Sequence, residues 1–482
     1  MNFTNSSKRQ ENRAKLTAFL LVIILSILIG IISGLGKSQW VLAFVGITFF
    51  TFTIMYSTFR IQLLVSTLLI AFSFPILDQS TFIYSLGSQT KWTIFIFIAG
   101  LLFLLAFIKS KQAHVLILRR LLPYLAYLLF LGFSILSIFK AVDTLLSLQV
   151  IMIHFILVSI AFIALPILIS TLTEFKTFIL VSWLIFATFT IVSLISWIID
   201  PDMAVDNQGR IKGIFFNPNY TANYAYIAIV LAFAYIQTVR IRKYRFFAIV
   251  IAILSAFVLL LTLSRGAWIS VIIAILFVVF RQKKLKNFIW PVLGIGIVFS
   301  LLFQSTYVNF DALLTKRLEF NTVTNRVDLW QTAIDLWRNN LWLGIGRGMS
   351  ELSGEFLSSA NIETRPHGFI FQLLAETGFF GTIAFIIFML TSFLQVSRHK
   401  LHSQINTAKF VEGINDRKFM IWIEGATLGY LVHELFENNL LAVGNAYNIF
   451  FWLVIGWLVV ISYMRPFFDH ASEEQILSVS RT

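Results

Sequence analysis

The sequence predicts an all-α protein that crosses a lipid bilayer about 12–14 times, with one long loop carrying amphipathic helices of its own. Three observations predict it. Of the 482 residues, 58% are hydrophobic and only 12% are charged, about half the charged share of a soluble domain. The apolar residues fall in runs of the length a bilayer requires, about 20 residues each. The short polar stretches between those runs are rich in Lys and Arg. This composition excludes a soluble globular enzyme, a disordered chain and a fibrous one.

Fourteen apolar runs are candidate spans: 17–35, 40–58, 61–77, 92–108, 121–139, 148–170, 178–199, 219–239, 246–263, 267–280, 288–304, 379–397, 420–436 and 446–464. Only Ser264-Arg265-Gly266 separates the ninth from the tenth, so a tight hairpin is expected there. The first run is followed directly by others and lacks a small-residue cleavage pattern. It is therefore expected to be a retained span. The chain divides into a bundle at 1–304, a long loop at 305–378, closing spans at 379–464 and a tail at 465–482.

Basic residues set the orientation, because short cytoplasmic loops concentrate Lys and Arg. With both termini inside, 25 of the 37 basic residues fall on inner loops. The other 12 fall outside, and most cluster on three segments: 200–219, Arg265 and the long loop. The net charge of +14 is thus assigned to inner loops and anionic headgroups, and no nucleic acid partner is expected. The absence of cysteine removes disulfides, thiolate metal sites and a Cys nucleophile.

In the long loop, Val327, Trp330, Ile334, Trp337 and Leu341 share one helical face, with Asn325 as the expected cap. That face suits either plain packing or the membrane interface. Gly344-Ile345-Gly346-Arg347-Gly348 is a flexible turn or a close backbone approach to a ligand, and it lacks the spacing of a dinucleotide or Walker loop. Arg365-Pro366-His367-Gly368 opens a helical run from Phe369 to Thr377, with Gly378 as its expected C-terminal cap. His367 is either structural or a general base. Arg210, Lys212 and the Asn217-Pro218-Asn219 turn lie before the eighth span, and Arg265 sits in apolar surroundings, where a charge is costly. His154, inside a span, reads as a bonded interior residue. His433, Glu434 and Glu437 read as salt-bridging or supporting groups, because a metal site would need further ligands.

Three separated segments together resemble the O-antigen ligase and O-antigen polymerase family of bacterial membrane glycosyltransferases. They are Arg210 to Gly213 followed by Asn217-Pro218-Asn219; Leu263-Ser264-Arg265-Gly266-Ala267; and Arg326 with Trp330, then Gly344 and Gly346, then His367 with Gly378 and Gly381. The resemblance covers about residues 200–400. It implies a fold like that of the multispanning C-type glycosyltransferases and no cofactor or metal. It also implies transfer of a glycan from undecaprenyl diphosphate to an acceptor hydroxyl, at the outer face of the bacterial plasma membrane. The acceptor is another glycan or a lipid-linked one. Ligases usually carry Asn, Ser or Gln after the loop histidine, where Gly368 stands here, which leans toward polymerase-like relatives. His367 would then accept the hydroxyl proton. Arg210, Arg265 and Arg326, with Arg347 and Arg365, would hold the diphosphate, since the guanidinium fork suits phosphate and stays charged. Lys212, Asn217, Asn219, Ser264, Gly344, Gly346 and Gly378 would support them. Ligase-type transfer and, from another class, a lipid-linked glycan flippase are the competing readings. A flippase would place its cations inside a central cavity, whereas these lie on loops.

Overall fold

The computed structural model describes residues 95–107, 122–169, 171–282, 321–350, 368–398, 416–437 and 449–462, apart from 97, 207, 216 and 436. These residues form helices: α1 (Ile98–Phe107), α2 (Leu122–Ser137), α3 (Thr144–Ser159, prolonged through a π-turn to Leu168), α4 (Leu172–Ile199), α5 (Pro218–Thr238), α6 (Arg242–Thr262), α7 (Arg265–Gln282), α8 (Asn321–Asn339), α9 (Phe369–Arg398), α10 (Asp416–Glu434) and α11 (Ile449–Ser462). Six are long and apolar enough to cross a membrane, and α1 and α11 are shorter apolar helices. The chain is an all-α polytopic membrane protein. Among the described residues, extended pairing is limited to one isolated bridge, Val205 with Ile211.

Local chemistry starts several helices. Thr171 and Glu174 form a reciprocal capping box at α4, satisfying two otherwise orphaned N–H groups. Asp143 caps α3 by accepting from the Leu146 N–H. At α5, Asn217 Oδ1 accepts from the Asn219 N–H at 2.9 Å, and Pro218 takes the first helical position, where no N–H is needed.

Among the described residues, two helices are enclosed by the others. α11 is buried along its whole described length, and its Trp452 and Phe450 meet His154, Phe388, Phe186 and Tyr224. A helix that is apolar all round belongs in such a place. α5 is equally enclosed, between α4, α6, α7 and α10, yet it carries Asn219, Thr221, Asn223, Tyr224 and Tyr226. Its polarity faces other helices.

Two local expectations are corrected. The tight turn at Ser264 exists, with Leu263 in the left-handed conformation (φ 50°), but the helices it joins diverge. α6 packs on α4 and α5, whereas α7 packs chiefly on α10 and α5. The long-loop helix begins at Asn321, so Asn325 lies inside its first turns and does not cap it. The run expected at Phe369–Thr377 and the twelfth span follow each other directly in α9, broken where Gly378 takes φ 66° and ψ −164°. Gly378 ends the first helical segment as expected. Any side chain there would meet the backbone of Trp342 and Leu343 at about 2.5 Å.

Candidate functional site

Among the described residues, the Arg210 loop, Asn219 and Arg326 gather where α5 begins and α10 ends, and Arg265 opens α7 close to the Arg210 loop. Their local backbones explain how. In the loop before α5, Asp206 gathers Arg210. Its Oδ1 accepts the Arg210 backbone N–H at 2.9 Å, and its Oδ2 accepts from Arg210 Nε at 2.7 Å and Nη2 at 2.6 Å. The next residue, Ile211, donates its N–H to the Leu261 carbonyl at 3.0 Å. That bond ties the Arg210 loop to the last turn of α6, four residues before Arg265. Lys212 is half-buried, and its carbonyl accepts the Thr221 hydroxyl from the first turn of α5. Gly213 has no alternative residue: at φ 59°, an added Cβ would fall 2.2 Å from Ser193 Cβ.

Ser264 is buried and its N–H reaches Thr262 Oγ1 at 3.4 Å. Arg265 is exposed at the first position of α7.

Glu437 is the meeting point of three segments. Its Oε1 accepts from Arg326 Nη2 of α8 at 3.1 Å and from Asn219 Nδ2 of α5 at 2.9 Å. The Glu437 N–H bonds the His433 carbonyl at 3.2 Å, so this stretch continues the spiral of α10. α8 then packs on α9 through Leu329, Ala333 and Leu336 against Ala375, and Trp330 stacks on Phe371 with centroids 4.9 Å apart. Gly368 is buried at φ 98°, and a Cβ there would meet the Leu435 carbonyl at 2.9 Å. The glycine that departs from the ligase pattern is thus required by close approach to the end of α10. His367 and Arg365 themselves lie outside the described residues.

The glycine loop makes a different arrangement. Ile345 and Gly346 donate their N–H groups to the carbonyls of Ala375 and Glu376, at 2.9 and 3.1 Å. Gly344 takes φ 68°, and its Cβ position lies 2.5 Å from the same backbone. The close approach expected at Gly344 and Gly346 is therefore to the end of the first α9 segment. Arg347 is fully buried and pairs with Glu376. Glu376 also accepts from Ser350 Oγ at 2.6 Å and Gln372 Nε2 at 2.9 Å. Arg347 thereby clasps the loop to the helix that starts beside His367.

Sequence reasoning selected the arginines without their partners. Asp206 lies four residues before Arg210, and Glu376 stands alone in the apolar run from Phe369 to Thr377. Both were available signals, since a carboxylate in apolar surroundings needs a partner. Glu437, expected as a salt-bridging or supporting group, pairs with Arg326 and also holds Asn219. His154 is bonded as expected, sharing a 3.2 Å hydrogen bond with the Tyr127 hydroxyl. The described residues contain no group of three or more His, Cys, Asp or Glu side chains able to hold a metal ion.

The fold and this end of the bundle define a multispanning helical membrane protein with arginines and a buried carboxylate brought together from distant segments. The family model described as O-antigen ligase matches residues 250–386, which carry Arg265, Arg326, Arg347 and Gly378. The match supports a role as a membrane glycan ligase or polymerase. No curated protein matches the chain.

Proposed function

We propose that the protein transfers a glycan from undecaprenyl diphosphate to an acceptor sugar hydroxyl, at the outer face of the bacterial plasma membrane, and that it thereby polymerises a cell-surface polysaccharide. One observation carries the reading. Glu437 joins Arg326 of the long loop to Asn219 of α5, within a segment pattern whose central part matches the O-antigen ligase model.

The chemistry follows from the residue types. A lipid diphosphate leaves as an anion, and guanidinium groups stabilise the charge as it develops. Arg265 is exposed at a helix N-terminus, where the backbone dipole also favours an anion. Arg326, half-buried and oriented by Glu437, is the second contact. Arg210, held by Asp206, and Arg365 are further candidates. Arg347 supports the site from within its buried pair. A sugar hydroxyl is a poor nucleophile until its proton is accepted, and His367 is the proposed acceptor. Direct displacement at the anomeric carbon would invert its configuration.

Ligase-type transfer is the second reading, and the description of the matching family model favours it. The test uses purified protein in lipid nanodiscs with lipid-linked repeat units, with and without a candidate acceptor. A ladder of multiples is expected. One shifted product, formed only with the acceptor, would mean ligase. Movement of the intact lipid-linked glycan across the bilayer, without a new bond, would mean flippase.

A further inference from the structure

α5 and α10 run side by side in opposite directions, and two contacts fix their register. At one end, Asn219 Nδ2 donates to Glu437 Oε1 at 2.9 Å. Further in, the Tyr226 hydroxyl donates to the Ala426 carbonyl at 2.5 Å. Between these anchors lies an interval with its own polar groups. Asn223 is one turn along from Asn219, on the same face of α5. His433 is one turn back from Glu437, on the same face of α10. Tyr430 lies one turn further, with its ring stacked on those of His433 and Tyr226, at 6.2 and 6.3 Å.

These groups are deeply buried and unsatisfied. Asn223 is 2% exposed and His433 0%, yet among the described residues neither amide atom of Asn223 nor either ring nitrogen of His433 has a hydrogen-bond partner. The Tyr430 hydroxyl has none either. Glu434 Oε1 lies 3.6 Å from His433 Nδ1. The inner floor is closed where Gly429 lets α10 approach Tyr226 and the Ser270 carbonyl. Buried polar groups are as a rule hydrogen-bonded, and a cluster of five unmatched atoms in one closed polar interval suits a hydrogen-bonding guest.

We propose that Asn223, Tyr430 and His433 form a binding site for a hydroxyl-bearing guest, and that this guest braces Glu437 from below. A guest with both donor and acceptor capacity suits the set, because the Asn223 amide offers one of each. Ordered water and a hydroxyl of the bound glycan share that chemistry. The site does not depend on the reaction proposed above; only its role in aiming Arg326 at a diphosphate does.

The deciding experiment is an electron cryomicroscopy map of the full chain in nanodiscs, at a resolution that shows water, with and without lipid-linked glycan. Density within hydrogen-bond distance of the Asn223 amide and a His433 nitrogen is expected. Density in both maps assigns water, and density only with the glycan assigns a sugar hydroxyl. Side chains closed upon one another in both maps would overturn the site. The bracing role is read by thermal unfolding of Asn223→Leu, Glu437→Gln and the double variant, which needs no activity. Coupled effects are expected, with the double variant shifted less than the two single shifts combined. Additive shifts, or a rise in Tm for Asn223→Leu without coupling, would show simple packing and overturn the role. If the glycosyl transfer reaction is demonstrated, Asn223→Leu should lower turnover ~10-fold through misplacement of Arg326.

Discussion

Arg326 and Asn219 share one oxygen of Glu437, at 3.1 and 2.9 Å. The long-loop helix is thereby fixed to the innermost polar helix of the bundle through a single carboxylate. Glu437 is buried and Arg326 half-buried, so the pair is shielded more than a surface ion pair and less than a core one.

Glu437→Gln keeps the shape and an acceptor for Asn219 but removes the charge facing Arg326. Glycan transfer should fall at least about tenfold, because small misplacements of a positioning group are costly. The protein should still fold, because Gln accepts from Asn219, but with a lowered Tm, because Arg326 loses the Glu437 charge. Wild-type turnover in Glu437→Gln would show that the carboxylate does not orient Arg326.

The Arg347–Glu376 pair should behave as structure. Both side chains are fully buried, and removing one leaves the other a buried charge without its counter-ion, at a cost of about 3–5 kcal/mol. Arg347→Ala and Glu376→Ala should each lower the unfolding temperature in detergent and the yield of folded protein. A folded, stable Arg347→Ala protein that had lost only glycan-donor affinity would instead make Arg347 a direct diphosphate ligand.

Arg265 should behave oppositely. It is exposed at the start of α7, so Arg265→Ala should insert and fold normally while glycan transfer nearly disappears. Arg265→Lys should recover only part of the rate, because a point charge lacks the two-pronged contact. Normal transfer by Arg265→Ala would leave the residue as an interfacial anchor.

For His367, loss of the proton acceptor should cost about 10²–10⁴ in rate for His367→Ala. Glycan-donor binding should hardly change. The neutral imidazole is the active form, so the wild-type rate should decline as pH falls through the ordinary imidazole range, near about 6.5. His367→Gln with most activity and an unaltered acid limb would show a structural histidine.

The orientation has its own test, aided by the absence of native cysteine. A cysteine placed at Ser358 should react with an impermeant thiol reagent added outside intact cells. Labelling only after the cytoplasm is opened would place 305–378 inside and end the proposed mechanism.

The sequence by itself determined the membrane class, the helical architecture and the candidate arginines. Run length, 3.6-residue periodicity and the cost of an isolated charge are local properties that a single chain displays. Tertiary structure decided which charges are partners. Glu437 lies 111 positions from Arg326 and 218 from Asn219, and Arg347 lies 29 from Glu376. No local pattern records such pairings, because they depend on which helices pack together. The same reason separates the two inner helices. α11 could be read as buried from its apolar faces, whereas α5 carries Asn219 and Asn223 and is enclosed only once α4, α6, α7 and α10 pack around it. The glycines divide likewise. Gly378 could be read as a helix end, but Gly368 is needed because the Leu435 carbonyl, from another helix, occupies the space a side chain would fill.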